Sequence, residues 1–353
     1  MRSKISLVII IAGILGFAAC KKDNNGTKIL PNTSEVLYIS NEGAFGFGNS
    51  SLSVYYPKED KLINQAFEQV NKRSLGDVLQ SVYRYKDKIY CLVNASSKIE
   101  VAQANSLKEL AVIKNVVMPR YMSNEENRAY VSCWGNKGEI AVLDLSTNTI
   151  VKRIAVGNGP EHLLLNKQNL FVCNSGGFKT DSTLSIIDIN NGILKKTLYV
   201  GDAPMDIVSM GDSIAFVLCR GKILYDASWN VIGHSSSKLV KISLIDFKIL
   251  KSFPLFAKQH PAELVLSKDK QSVYIGGGYG FAGLYRFDLN REQMDSLPVS
   301  TKSFYGIAGD SHGNIYGFES PDFTSAGSMT IMNPQAVIIK VKTVGIGPNG
   351  MCY

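Results

Sequence analysis

Apolar and polar residues alternate in short runs along most of this chain, and the runs recur. Two copies stand almost in phase, IAVLDLSTNTIVKRIAVG from Ile140 to Gly157 and LSIIDINNGILKKTLYVG from Leu184 to Gly201. Each reads as an apolar strand ending in aspartate, a polar turn, and a K-x-x-x-V-G strand. Weaker copies put the aspartate position at Tyr56, Gln103, Ser243, Asp288 and Asn333, with spacings of 41 to 55 residues. Seven units of this length with period-two alternation predict an all-β chain, a seven-bladed β-propeller of four-stranded blades.

Within a unit, strand a follows a proline turn, as in GPEHLLL and APMDIVS. Strand b is an apolar run such as KIYCLVN or NLFVCN, strand c ends on the aspartate position, and strand d carries the lysine phrase. Turns rich in Gly, Asn, Asp and Ser separate them, and no amphipathic helix competes. The first unit starts directly in strand b at Val36–Ser40, whereas the chain ends on GIGPNGMCY. Residues 347–353 are therefore expected to supply the missing strand a of the first blade and close the ring, leaving no open edge.

Charge changes the picture little. Charged residues make up 19% of the chain, the net charge is +8, and the lysines and arginines are scattered. A nucleic-acid binder concentrates its cations in a stripe or patch, so that class is set aside. Cys91, Cys133, Cys173, Cys219 and Cys352 form no C-x-x-C pair. Four of them fall in predicted b strands, where free thiols behave as small hydrophobes. Neither a zinc site nor any cofactor is expected.

The amino terminus reads as a separate module. Arg2 and Lys4 precede an apolar run from Ile5 to Phe17, then Ala18, Ala19 and Cys20. That run is short for a bilayer span and has the order of a secretory signal. Small residues directly before a cysteine resemble a bacterial lipoprotein signal, which implies lipidation of Cys20 after removal of residues 1–19. The alternative is an ordinary signal peptide with a coincidental cysteine. Polar residues 20–33 then serve as a flexible tether. The Lys21-Lys22-Asp23 tract resembles the surface-export signal of some Gram-negative lipoproteins. The propeller, expected as a monomer, occupies residues 34–353.

The repeat phrases LFVCN, L-S-I-I-D and K-x-x-x-V-G-x-x-P resemble the YVTN or YncE-like family of seven-bladed propellers across residues 34–353. That resemblance implies the fold and says little of function, because the matching residues are structural.

If strands alternate in direction, the b-to-c and d-to-a loops share one face. The b-to-c loops are the longer set, and they hold Phe45, Phe47, Trp134, Phe178, Tyr225, Trp229, Tyr279, Phe281 and Phe323. Glycine-flanked aromatics with polar neighbours suit capture of a bulky, partly apolar ligand. They suit equally the capping of blade ends. Alignment on the turn proline sets Tyr121, His162, Asp206, Glu263 and Gly350 at one position facing the central channel, with Asp77 and Tyr305 as equivalents in the other blades. Such a ring can bind a cation, an amine or a metal-bearing ligand, or can simply line a watery channel mouth. The G-x-G-x-x-G match at residues 278–283 leads into a strand, so no helix N-terminus is there to hold a pyrophosphate. No G-x-S-x-G elbow occurs, and His162, His234, His260 and His312 have no recognisable nucleophile beside them.

Lipid-anchored propellers resemble surface lipoproteins that capture cobalamin and pass it to an outer-membrane transporter. The expected function is thus capture of a small ligand, cobalamin or another transporter substrate, by an outer-membrane lipoprotein exposed at the cell surface, with the periplasmic face as the alternative. A TonB-dependent transporter is the expected partner. A protein-interaction scaffold and a lactonase-like hydrolase are the alternatives.

Overall fold

A computed structural model describes residues 35–353; the expected signal peptide, Cys20 and the expected tether lie outside the described residues. Seven four-stranded antiparallel sheets follow one another around a channel, with one extra two-stranded hairpin. Blade 1 is built from Leu37–Asn41, Ser51–Tyr56 and Lys61–Ile63, and its innermost strand is Pro348–Cys352 from the far end of the chain. Tyr38 pairs with Cys352 and Ser40 with Gly350, so the ring closes as the sequence predicts.

Strands b and c are apolar on both faces because each sheet is covered by a neighbour on either side. Blade 5 shows this in Ile214–Cys219 (IAFVLC), where five of the six residues are buried. Its outer strand Lys248–Pro254 is exposed apart from Phe253 and carries lysines that blunt the edge. The core is correspondingly divided into seven clusters, each shared by two adjacent blades. One example sets Phe216 and Leu218 of blade 5 against Val273, Ile275 and Phe287 of blade 6.

The aspartate that marks the repeat is a turn residue. Asp188 Oδ1 accepts the backbone N–H groups of Asn190 and Asn191 at 3.0 and 3.1 Å, and Asp288 does the same for Asn290 and Arg291. Ser243 and Asn333 replace it with a hydroxyl and an amide oxygen. Such bonds hold the carboxyls of Asp188 and Asp288 below their usual range, and at Asp144 the Ser146 hydroxyl and then its N–H do the same.

Besides a single 3-10 turn at Gly135–Lys137, one α-helix among the described residues departs from the expected all-strand pattern. A short helix, Ala66–Asn71, occupies the connection between blades 1 and 2 and buries Ala66 and Phe67. Its flanking residues Gln65 and Lys72 adopt left-handed backbone angles, so neither end shows a cap signal in sequence.

Candidate functional site

The channel wall is set by a register shift. In blades 3, 4 and 5 the ladder slips just after the first strand-a residue, at Pro119, Pro160 and Pro204. Each bulge turns the residues after the proline toward the axis. Blade 2 has the same slip after Leu79, so its residue facing the channel is Ser81, not Asp77. In blade 7 the matching residue is Gly306, one position after Tyr305, because Gly306 pairs with Phe318 as Glu263 pairs with Gly276. Asp77 instead accepts the backbone N–H of Gly46 at the loop surface.

The resulting ring is Gly350, Ser81, Tyr121, His162, Asp206, Glu263 and Gly306, and the four predicted site residues Tyr121, His162, Asp206 and Glu263 do meet there. They line a cavity of about 250 Å³. Several of their groups join neighbouring blades, while His162 Nε2 is buried without a hydrogen-bond partner. Ser81 donates to Arg120 O at 2.6 Å, and Tyr121 stacks on His162 with ring centroids 3.6 Å apart. His162 Nδ1 lies 3.5 Å from Asp206 Oδ1, and Asp206 Oδ2 accepts the N–H of Leu264 at 2.8 Å. Glu263 accepts the N–H of Ile307. Gly306 packs so closely on Asn349 O that a Cβ would collide with it, and Asn349 donates to Gln80 O at 2.8 Å. Every blade interface thus has one such contact. Burial pushes the Glu263 carboxyl well above its usual range, with the neighbouring carboxylates of Asp206, Glu42 and Glu161 adding to the rise. No group of three or more His, Cys, Asp or Glu among the described residues is placed to hold a metal ion.

A second ring, one residue nearer the loop face, was not anticipated from sequence. Asn349 donates to Glu42 Oε1 at 2.9 Å, and Tyr305 OH bonds the same carboxylate at 3.2 Å. Arg120 bonds Gln80 through Nη1 and donates from Nε to Glu161 at 2.9 Å, and Ser175 donates to the other Glu161 oxygen at 3.1 Å. The Arg120 guanidinium also lies 4.2 Å above the Trp134 ring. Burial raises the Glu42 carboxyl, against the hydrogen bonds from Asn349 and Tyr305. The matching residues of blades 5 and 6, two places before Ile207 and Leu264, are Met205 and Ala262, so the polar ring stops there.

Above that gap the loop face opens into a cleft of about 330 Å³ between blades 4 and 5. Arg120, Trp134, Glu161, Arg220 and Tyr225 are among its walls. The 55-residue spacing in the sequence is filled here by the extra hairpin, Lys222–Tyr225 paired with Val231–Ser235. Its base is tied down by His234 Nδ1, 2.9 Å from His260 Nε2, and by Lys222, 3.3 Å from Asp202.

Of the predicted aromatics, Phe45, Phe47, Phe178, Trp229 and Tyr279 are 78% to 84% exposed. Tyr225 is also exposed and tilts against Trp229, while Trp134 and Phe323 are half-buried. Phe178 meets the edge of Trp134, and Phe323 lies between Tyr279 and Tyr305. Phe281 departs from the expectation: it is buried, packed edge-on against Phe256 and Tyr285, and seals the core of blade 6. The Gly278–Gly283 segment leads into strand Tyr285–Asp288 rather than a helix.

The chain is a closed seven-bladed β-propeller with a plain face and a face of exposed aromatics. It belongs to the DUF5074 family, a domain of unknown function, whose model matches residues 35–308. No curated protein matches it significantly. Among solved structures it is similar to a candidate 6-phosphogluconolactonase from Bacteroides uniformis, at 10% identity and a TM-score of 0.67, over 90% of this chain and 98% of that one. A quinonprotein alcohol dehydrogenase-like protein from Bacteroides thetaiotaomicron matches at 13% identity and TM-score 0.63, over 90% and 77% of the two chains. Hydrazine synthase of Kuenenia stuttgartiensis matches at 13% and 0.62, over 74% and 84%. At these identities the likeness is one of fold.

Proposed function

We propose that this protein is a binding module that captures a bulky, partly apolar ligand on its aromatic loop face. The observation that carries the reading is the set of five aromatic side chains, each at least 78% exposed, on loops of one face, with Phe178 and Trp229 on the loops of the two blades that flank the cleft. Large apolar side chains gathered on one surface stay costly in water until something covers them. Capture is favoured over hydrolysis because the channel carboxylates Asp206 and Glu263 already serve as acceptors for backbone N–H groups. The proposal extends to a lipid-anchored protein at the outer-membrane surface, delivering its ligand to a TonB-dependent transporter. Cobalamin enters as the ligand through resemblance to cobalamin-capturing lipoproteins.

Both tryptophans of the chain lie at this face, so intrinsic fluorescence reports on it directly. Cyanocobalamin and the neutral probe N-phenyl-1-naphthylamine are titrated against the protein. Saturable quenching is expected, weakened about tenfold or more by Trp229→Ala or Phe178→Ala, which remove contact area worth over 1 kcal/mol. Affinities unchanged in both variants would refute the proposal. Metal-dependent hydrolysis of a sugar lactone, lost in His162→Ala and Glu263→Ala, would replace it with the hydrolase reading.

A further inference from the structure

Arg220 leaves strand b of blade 5 where the polar ring is broken, and its side chain forms part of the cleft wall. Its backbone is fixed on both sides: its N–H donates to Ala203 O at 2.9 Å, and its carbonyl faces His260 Nδ1 at 2.7 Å. Its guanidinium makes no hydrogen bond or ion pair with any described residue. The nearby carboxylate, Glu161, is already bonded by Arg120 and Ser175. Burial pulls the Arg220 pKa down from its ordinary value, against the opposing pull of the Glu161 charge, which acts on the guanidinium without a direct bond to it. Withdrawal of an unpaired charge from water is costly, and five N–H donors in a rigid fork match one partner geometry above others. The surroundings reinforce the sign. The cleft walls carry Arg120, Lys179, Arg220 and Lys222 against two carboxylates, Glu161 and Asp181. Asp181 itself is occupied by the N–H groups of Asn158, Ser182 and Thr183.

We infer that the cleft is an oxyanion subsite in which Arg220 receives a carboxylate or phosphate of the ligand as a bidentate pair. The apolar part of the same ligand lies on Trp134, Tyr225 and Trp229 at the cleft rim. This inference rests on the capture reading and narrows it to amphiphiles that combine rings with an anionic group. A guanidinium serves both oxyanions, because each offers two oxygens at the spacing of its fork.

The test uses a matched series, 1-naphthyl phosphate, 1-naphthoate and neutral 1-naphthol, titrated calorimetrically into the purified protein. At least one of the two anions binds about tenfold tighter than naphthol or better, the size of a charge-assisted bidentate pair. The preferred anion identifies the source. Arg220→Gln brings the anions to within about threefold of naphthol and leaves naphthol unchanged, while Arg220→Lys keeps part of the preference. Lys179→Gln, at an exposed cation on the same rim, changes little, which separates a built site from general positive charge. Discrimination that survives in Arg220→Gln overturns the inference while leaving capture intact. Anion binding that depends on Arg220 but ignores Trp229→Ala and Phe178→Ala overturns the capture reading and keeps the subsite. Absence of binding by all three probes overturns both.

Discussion

Glu68 sits in the first turn of the Ala66–Asn71 helix with both carboxylate oxygens buried and without a hydrogen-bonding partner. Burial pushes its pKa up to about 7, against a modest opposing pull from nearby backbone amides and Arg73. The sign of the resulting pH dependence follows from proton counting. Between the unfolded value of about 4.3 and the folded value, the native state holds a proton that the unfolded chain has released, so stability falls as pH rises. The shift corresponds to about 4 kcal/mol at most at 1.36 kcal/mol per unit, and residual solvent contact screens part of it. Glu68→Gln removes the ionisation while keeping the shape. It is expected to stabilise the protein by about 1–3 kcal/mol at pH 8 and to be nearly neutral at pH 4.5. Urea unfolding at the two pH values, with equal m-values for both proteins, measures the difference directly. The reasoning fails if the stability difference between the proteins is the same at pH 8 as at pH 4.5.

Asp206→Ala strands the N–H of Leu264 inside the channel wall and is expected to cost about 1–3 kcal/mol in urea unfolding, whereas Asp206→Asn, which keeps an acceptor oxygen, costs less. A chain ending at Ile346 loses the strand that pairs with Leu37–Asn41, and its unfolding should lose the cooperativity of the full protein; an unchanged m-value would contradict ring closure by the terminus. His260 is held below its usual pKa by burial, with the charge of Arg220 adding to the effect, so its contribution is present when neutral and is lost as pH falls below about 6.5. Amide protection factors in the 222–235 hairpin should therefore drop by pH 5 while those of Ile214–Cys219 hold, and equal behaviour of the two segments would count against the His234–His260 tie.

Much of the fold was legible because short apolar strands separated by polar turns recur at a nearly constant spacing, and strands b and c keep that pattern in nearly every unit. The proline turn and the missing first strand then located the closing strand. The helix escaped because six residues give one apolar pair, Ala66 and Phe67, and no periodicity. The channel position was read correctly where a proline marks the start of strand a. It slipped by one residue at Tyr305 and by four at Asp77, where Gly306 and Ser81 hold that place without the marker. Loop aromatics cannot be sorted by sequence alone. Tyr279 and Phe281 are two residues apart in the same glycine-rich loop, yet only Phe281 is buried, packed against Phe256 from the connection before blade 6 and against Tyr285 of the following strand. Arg220 was invisible for a different reason: the lack of a counterion is a property of the assembled neighbourhood and of no local pattern.

A repeat ring tends to treat its blades alike, so the informative sector is the one where several departures coincide. Blades 7, 1, 2, 3 and 4 supply Tyr305, Asn349, Gln80, Arg120 and Glu161 to a connected polar ring, and blades 5 and 6 supply Met205 and Ala262. The insertion Lys222–Ser235 within blade 5 rises at that same break and brings Tyr225 and Trp229 with it. An isolated two-stranded hairpin is marginal in water, so the His234–His260 and Lys222–Asp202 contacts hold these rings in place. A device for protecting a sheet edge would lie against an outer d strand, and this one stands over the channel mouth. Gap, insertion and a guanidinium without a bonded partner converge on one sector, so the variants placed there discriminate most sharply between the proposed ligand site and simple capping of blade ends.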